Sequence, residues 1–183
     1  MTELLLRISR LADHFNIRLG QTVAWVAVFM VLIQFAVVIM RYVYGVGSIA
    51  VQESLIYMHS VLFMLTVGFA MAMGRHVRID IIYRNKTRRY QTVIDLLGSV
   101  FFLLPFCVVI LYFSAPYVSE SWRILEGSRE VSGIQGVFLL KSLIPAFAGL
   151  LLVQVLSTVC RATAIIAQSL GRRLVRNEQR VQE

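Results

Sequence analysis

The chain has 183 residues, of which 58% are hydrophobic and only 15% charged, and it carries a formal net charge of +8. A soluble domain of this size could not hide so much apolar surface. The basic excess sits at the ends of apolar runs, where Lys and Arg set membrane topology, so it does not point to a nucleic-acid partner.

Residues 2–18, TELLLRISRLADHFNIR, place Leu4, Ile8, Leu11 and Phe15 at spacings of three and four, hence on one helix face, with Arg7, Arg10 and Asp13 off it. Such a pattern suits a short interfacial helix lying on the anionic inner leaflet. It equally suits an extension of the first span. That span covers about residues 19–40 and closes at Arg41-Tyr42, where an arginine can snorkel and a tyrosine can sit among headgroups. The first span is too long for a signal-peptide core, and no small-residue cleavage site follows it, so it reads as retained. Gly45 and Gly47 then break the helix in a connection, 43–53, that has no Lys or Arg.

A second span, about 54–74, opens after Gln52-Glu53 and carries Gly68 with Ala72, and Ala70 with Gly74, at a spacing that lets helices approach closely. The segment from Arg75 to Arg89, RHVRIDIIYRNKTRR, follows with six of the eighteen Lys and Arg residues. A basic loop between two spans stays cytoplasmic. It contains His76, Arg78 and Asp80. Topology neither needs nor explains an acid there, so Arg78 or Asp80 is expected to take part in a charge pair at the membrane edge.

The third span covers about 93–118, with Asp95 at its cytoplasmic start, Pro105 near its middle and Pro116 near its outer end. Pro105 removes a backbone hydrogen bond and predicts a kink. The next connection, Ser119 to Lys141, carries Trp122 and balances Glu120, Glu126 and Glu130 against Arg123, Arg129 and Lys141. Lys141 and Pro145 mark the start of the fourth span, about 142–160, and residues 168–183 form a basic tail. The expected fold is therefore one all-α membrane domain: four transmembrane helices, both termini cytoplasmic, plus the N-terminal interfacial helix. None of the runs alternates polar and apolar residues, which argues against a barrel.

Ionisable groups are scarce inside the spans. Carriers and pumps usually place acids or broken helices near the midplane, whereas here the interior polar residues are Gln34, His59, Thr66 and Gln154. Among His14, His59 and His76, only His59 lies within a span, so no second histidine at matching depth completes a haem site. Metal-ligand spacings, CxxC and phosphate loops are missing. Cys107 and Cys160 lie at depths about 10 Å apart and do not suit a disulfide. No cofactor, metal or catalytic residue is expected.

The residues at the membrane edges, taken together from about Arg41 to Gln154, resemble the small membrane subunit of tripartite ATP-independent periplasmic (TRAP) transporters, the DctQ family. The pieces are Arg41-Tyr42, Gln52-Glu53-Ser54, Gly68, HVRID at 76–80, Asp95-Leu96-Leu97-Gly98, Pro105, Ser121-Trp122, Glu126-Gly127-Ser128, Lys141, Ile144-Pro145 and Gln154. One departure is SIAV at 48–51, where many members carry a tryptophan. The resemblance implies a non-enzymatic permease subunit in a bacterial inner membrane. Its partners would be a large membrane subunit, a periplasmic substrate-binding protein and membrane lipids. The small subunit would scaffold the large one during sodium-coupled uptake of an organic acid. Arg41, Glu53, Gly68, His76, Arg78, Asp80, Asp95, Glu126 and Lys141 are then candidate interface or structural residues. The competing reading is a four-helix membrane anchor of a redox or other enzyme complex.

Overall fold

A computed structural model of the chain describes residues 2–74 and 87–181. Six α-helices make up nearly all of it: α1 Thr2–Tyr42, α2 Ile49–Leu65, α3 Val67–Ala72, α4 Arg88–Gly98, α5 Leu104–Arg123 and α6 Val137–Val181. A π-helical turn, Ser99–Leu103, joins α4 to α5. They combine into four helical rods long and apolar enough to cross a membrane, Thr2–Tyr42, Ile49–Ala72, Arg89–Arg123 and Val137–Gln168. Each expected span falls on one of these rods.

The outer surface is apolar. Trp25, Phe29, Phe35, Phe63, Phe102, Phe106 and Phe113 are all more than half or nearly half exposed. In water such a surface would drive aggregation, and in a bilayer it is the solvated face. The interior is built from alanine and aliphatic side chains, chiefly on α6: Ala148, Leu151, Val155, Ala162 and Ala164 are buried. Each of the other described helices touches α6, which is thus the axis of the bundle.

Three local features shape the rods. Residues 2–18 do not form a separate helix: α1 runs unbroken for 41 residues, about 60 Å at helical rise, twice the thickness of a hydrocarbon core. Its buried face there is Ser9, Ala12, Asn16, Gly20 and Val23, whereas Leu4, Leu11 and Phe15 are exposed. Close packing on α6 favours the small and polar stripe, and the apolar stripe is left on the outside.

The second rod is interrupted at Thr66, whose hydroxyl donates to the Leu62 carbonyl at 2.6 Å. Gly74 ends the rod at φ 64°, with its amide on the Met71 carbonyl at 2.9 Å. Of the two small-residue pairs, Gly74 therefore terminates the helix, and Gly68 is the buried contact.

In the third rod, Pro105 follows directly on the π turn, where the Leu104 amide reaches back five residues to the Ser99 carbonyl. The wider turn takes up the register that the proline ring disturbs, so the chain continues as a helix.

Candidate functional site

Two connected sets of polar side chains lie at the two ends of the bundle. At the end that holds the start of α1, six residues of α1 and α6 interlock. Asn16 Nδ2 donates to Gln154 Oε1 at 2.9 Å, and Gln154 Nε2 donates to Asp13 Oδ1 at 3.1 Å. Ser157 donates to the same Asp13 oxygen at 2.6 Å and lies 2.9 Å from the Ser9 hydroxyl. Arg161 forms an ion pair with Asp13 and directs Nε to Ser9 Oγ at 3.3 Å. Because Ser9 meets 157 and 161 while Asn16 meets 154, the two helices run antiparallel. Ser9, Asn16, Gln154 and Ser157 are each at least 97% buried. Buried polar groups without partners are costly, so a connected set of this kind fixes the register between first and last helix.

Gly68 caps this set. A methyl group at its α-carbon would lie 2.7 Å from Asn16 Oδ1, so only glycine lets α3 pack on the Asn16 amide. The Asn16 Oδ1 atom itself has no hydrogen-bond partner among the described residues.

At the opposite end, the connection between α5 and α6 is tied down by two glutamates. Glu53, in the first turns of α2, accepts from the Ser128 hydroxyl through Oε1 and from the Ile134 amide through Oε2 at 2.6 Å. One carboxylate thereby pins both sides of the loop across 81 residues of sequence. Glu126 pairs with Lys141, whose ammonium also lies 3.9 Å from the centre of the Tyr117 ring. The hydrogen bond from Lys141 holds the Glu126 carboxyl below its usual value. Trp122 completes the corner, donating Nε1 to Ser142 Oγ at 2.7 Å and meeting Phe138 edge-on at 4.8 Å. Leu125 turns the chain there with φ 46°.

A model of one family matches residues 30–164, well over half of the chain: DctQ, a component of tripartite ATP-independent periplasmic transporters. The chain belongs to the DctQ family. No curated protein and no solved structure matches it. As a DctQ component with four membrane-crossing rods, it is a multi-pass membrane protein and part of a transport system. The match takes in the Glu53, Glu126 and Lys141 corner and Gly68. It begins at Met30, after the Ser9–Asn16 half of the buried network.

The candidate residues of this DctQ chain divide as follows. Glu53, Glu126 and Lys141 meet at one end, and Gly68 lies against the network at the other. Arg41 is exposed in the last turn of α1, and Asp95 is half-buried on α4. His76, Arg78 and Asp80 lie outside the described residues.

Sequence reasoning missed the roles of Ser9, Asp13, Asn16, Ser157 and Arg161. A signal was present. Ser9, Ala12, Asn16 and Gly20 recur at spacings of three and four, as do Gln154, Ser157 and Arg161. Two such stripes on apolar helices mark faces that pack on each other.

Proposed function

We propose that this small permease subunit acts as a fixed frame. It holds the large membrane subunit and helps dock a periplasmic substrate-binding protein during sodium-coupled uptake of an organic acid across a bacterial inner membrane. The observation that carries this reading is where the charges are used. Asp13 is neutralised by Arg161 at one end, and Glu126 by Lys141 at the other, where Glu53 clamps the loop. Groups bound to fixed partners lock helices together, whereas an ion path needs groups that exchange partners. In this arrangement the Glu53–Glu126 end faces the periplasm and both chain ends face the cytoplasm, in keeping with the basic segment at 75–89. The loop 124–136 then offers Ile124, Leu125 and Val131, all well exposed, to the soluble partner.

Vesicles containing this chain alone should show no sodium-dependent uptake of organic acids. Uptake should require the large subunit and the binding protein, and should fall to background when this chain is left out. Uptake by the chain alone, or full uptake without it, would end the reading.

A further inference from the structure

The groove between α1 and α2 contains two polar groups that the bundle does not use. It is partly open to the outside, has a volume of about 420 Å³, and is lined by Met30, Val31, Gln34, Leu55, Ile56 and His59. Gln34 and His59 are both exposed. Neither makes a hydrogen bond among the described residues, and the His59 ring lies nearly parallel to that of Phe63 with centroids 6.5 Å apart.

Their depth decides what this means. Gln34 lies seven residues inside Arg41, and His59 six inside Glu53, so both are about 10 Å inward from the polar rim at helical rise. At that depth there is hydrocarbon and no water. An amide and an imidazole facing lipid there would each leave donors and acceptors unpaired. A lipid tail fills the space but supplies no hydrogen bond. A helix supplies both packing and a polar side chain.

The geometry points to this groove as the seat of a transmembrane helix from the large subunit. That helix packs a small or apolar face against Val31 and Ile56, and presents one side chain that both donates and accepts, such as Ser, Thr, Asn or Gln, to Gln34 and His59. The inference rests on the permease-subunit reading above and deepens it by naming the contact face. The exposed flanks carry the apolar part of the contact, since Val31 is 64% and Ile56 57% exposed.

The test uses the assembled transporter in its native membrane. A photo-crosslinking phenylalanine analogue is placed at Val31 or Ile56 in the groove, and at Phe106 or Tyr112 on α5, which are also exposed. Irradiation should join the groove positions to the large subunit at least fivefold more efficiently than the α5 positions. In parallel, the Gln34→Leu/His59→Phe double variant should reach the membrane in normal amount yet recover at least fivefold less large subunit on purification. Crosslinks from Val31 or Ile56 to a second copy of this chain, or to lipid alone, overturn the proposal. So does normal recovery of the double variant. If the unaltered chain does bring down the large subunit, those results refute the groove and leave the permease reading standing. If the unaltered chain brings down no large subunit, both fall together.

Discussion

Replacing Gly68 by alanine probes how tightly the second rod is fitted to the buried network. The added methyl would lie 2.7 Å from Asn16 Oδ1 and 2.8 Å from its Cγ, about 0.7 Å short of the 3.4 Å at which ordinary contact begins. Asn16 is only 1% exposed and is held by Gln154 at 2.9 Å. It cannot move aside without stretching that bond or displacing α3. Overpacking costs about 1–3 kcal/mol, and a buried hydrogen bond between membrane helices adds about 0.6–1 kcal/mol. Alanine returns up to about 1 kcal/mol through its better helix propensity. The balance is a destabilisation of about 1–3 kcal/mol. Equilibrium unfolding of the purified chain in mixed micelles, followed by far-ultraviolet circular dichroism, measures it. In an Asn16→Ala background the methyl has room, so the same substitution should be neutral or slightly stabilising. An equal penalty in both backgrounds, or none in either, would refute the packing argument.

Further outcomes follow from the two polar ends. Ser157→Ala removes the hydroxyl shared by Asp13 and Ser9 and should cost about 1 kcal/mol in the same unfolding assay; Thr163→Ala, an exposed hydroxyl bonded within its own helix, should cost much less. Glu53→Ala frees the Ser128 hydroxyl and the Ile134 amide, so trypsin should cut after Arg129 several-fold faster than in the unaltered chain; unchanged cleavage would show that the loop is held by other contacts. Because Glu126 is held below its usual value in the folded chain, its contribution to stability is present above the unfolded glutamate value of roughly 4.3 and is lost as pH falls through the lower folded value. Trp122 emission, read in a Trp25→Phe background, should therefore stay constant from neutral pH down to that range. Lys141→Met should move the acid transition to higher pH, and an identical midpoint in both proteins would refute the pairing.

The four rods were legible because hydrocarbon demands long apolar helices and the polar interruptions between them are unmistakable. Gly68 was legible as a contact because glycine in an apolar helix has few other uses. Its partner was not, since nothing in a single chain says which helices are neighbours. The N-terminal stretch left two readings open, an interfacial helix or an extension of the first span, and the structure follows the second. Both readings turn Leu4, Leu11 and Phe15 towards lipid, so that stripe could not choose between them, and it is the inward stripe of Ser9, Ala12 and Asn16 that packs on α6. The clamp of Glu53 on Ser128 and Ile134 joins residues far apart in sequence, and a lone glutamate before a span gives no hint of it. The π turn was hidden as well, since Pro105 signals a disturbance without saying how the backbone absorbs it.

The placing of α6 at the axis has a consequence for biosynthesis. Ser9 meets Ser157 across 148 residues of sequence, so α1 is made well before α6 and its inward-facing groups wait for that helix to find partners. Until then Ser9, Asp13 and Asn16 stand exposed at the membrane edge, and contacts this distant in sequence form late. A chain interrupted before Gln154 lacks every α6 partner of those groups and leaves them unpaired.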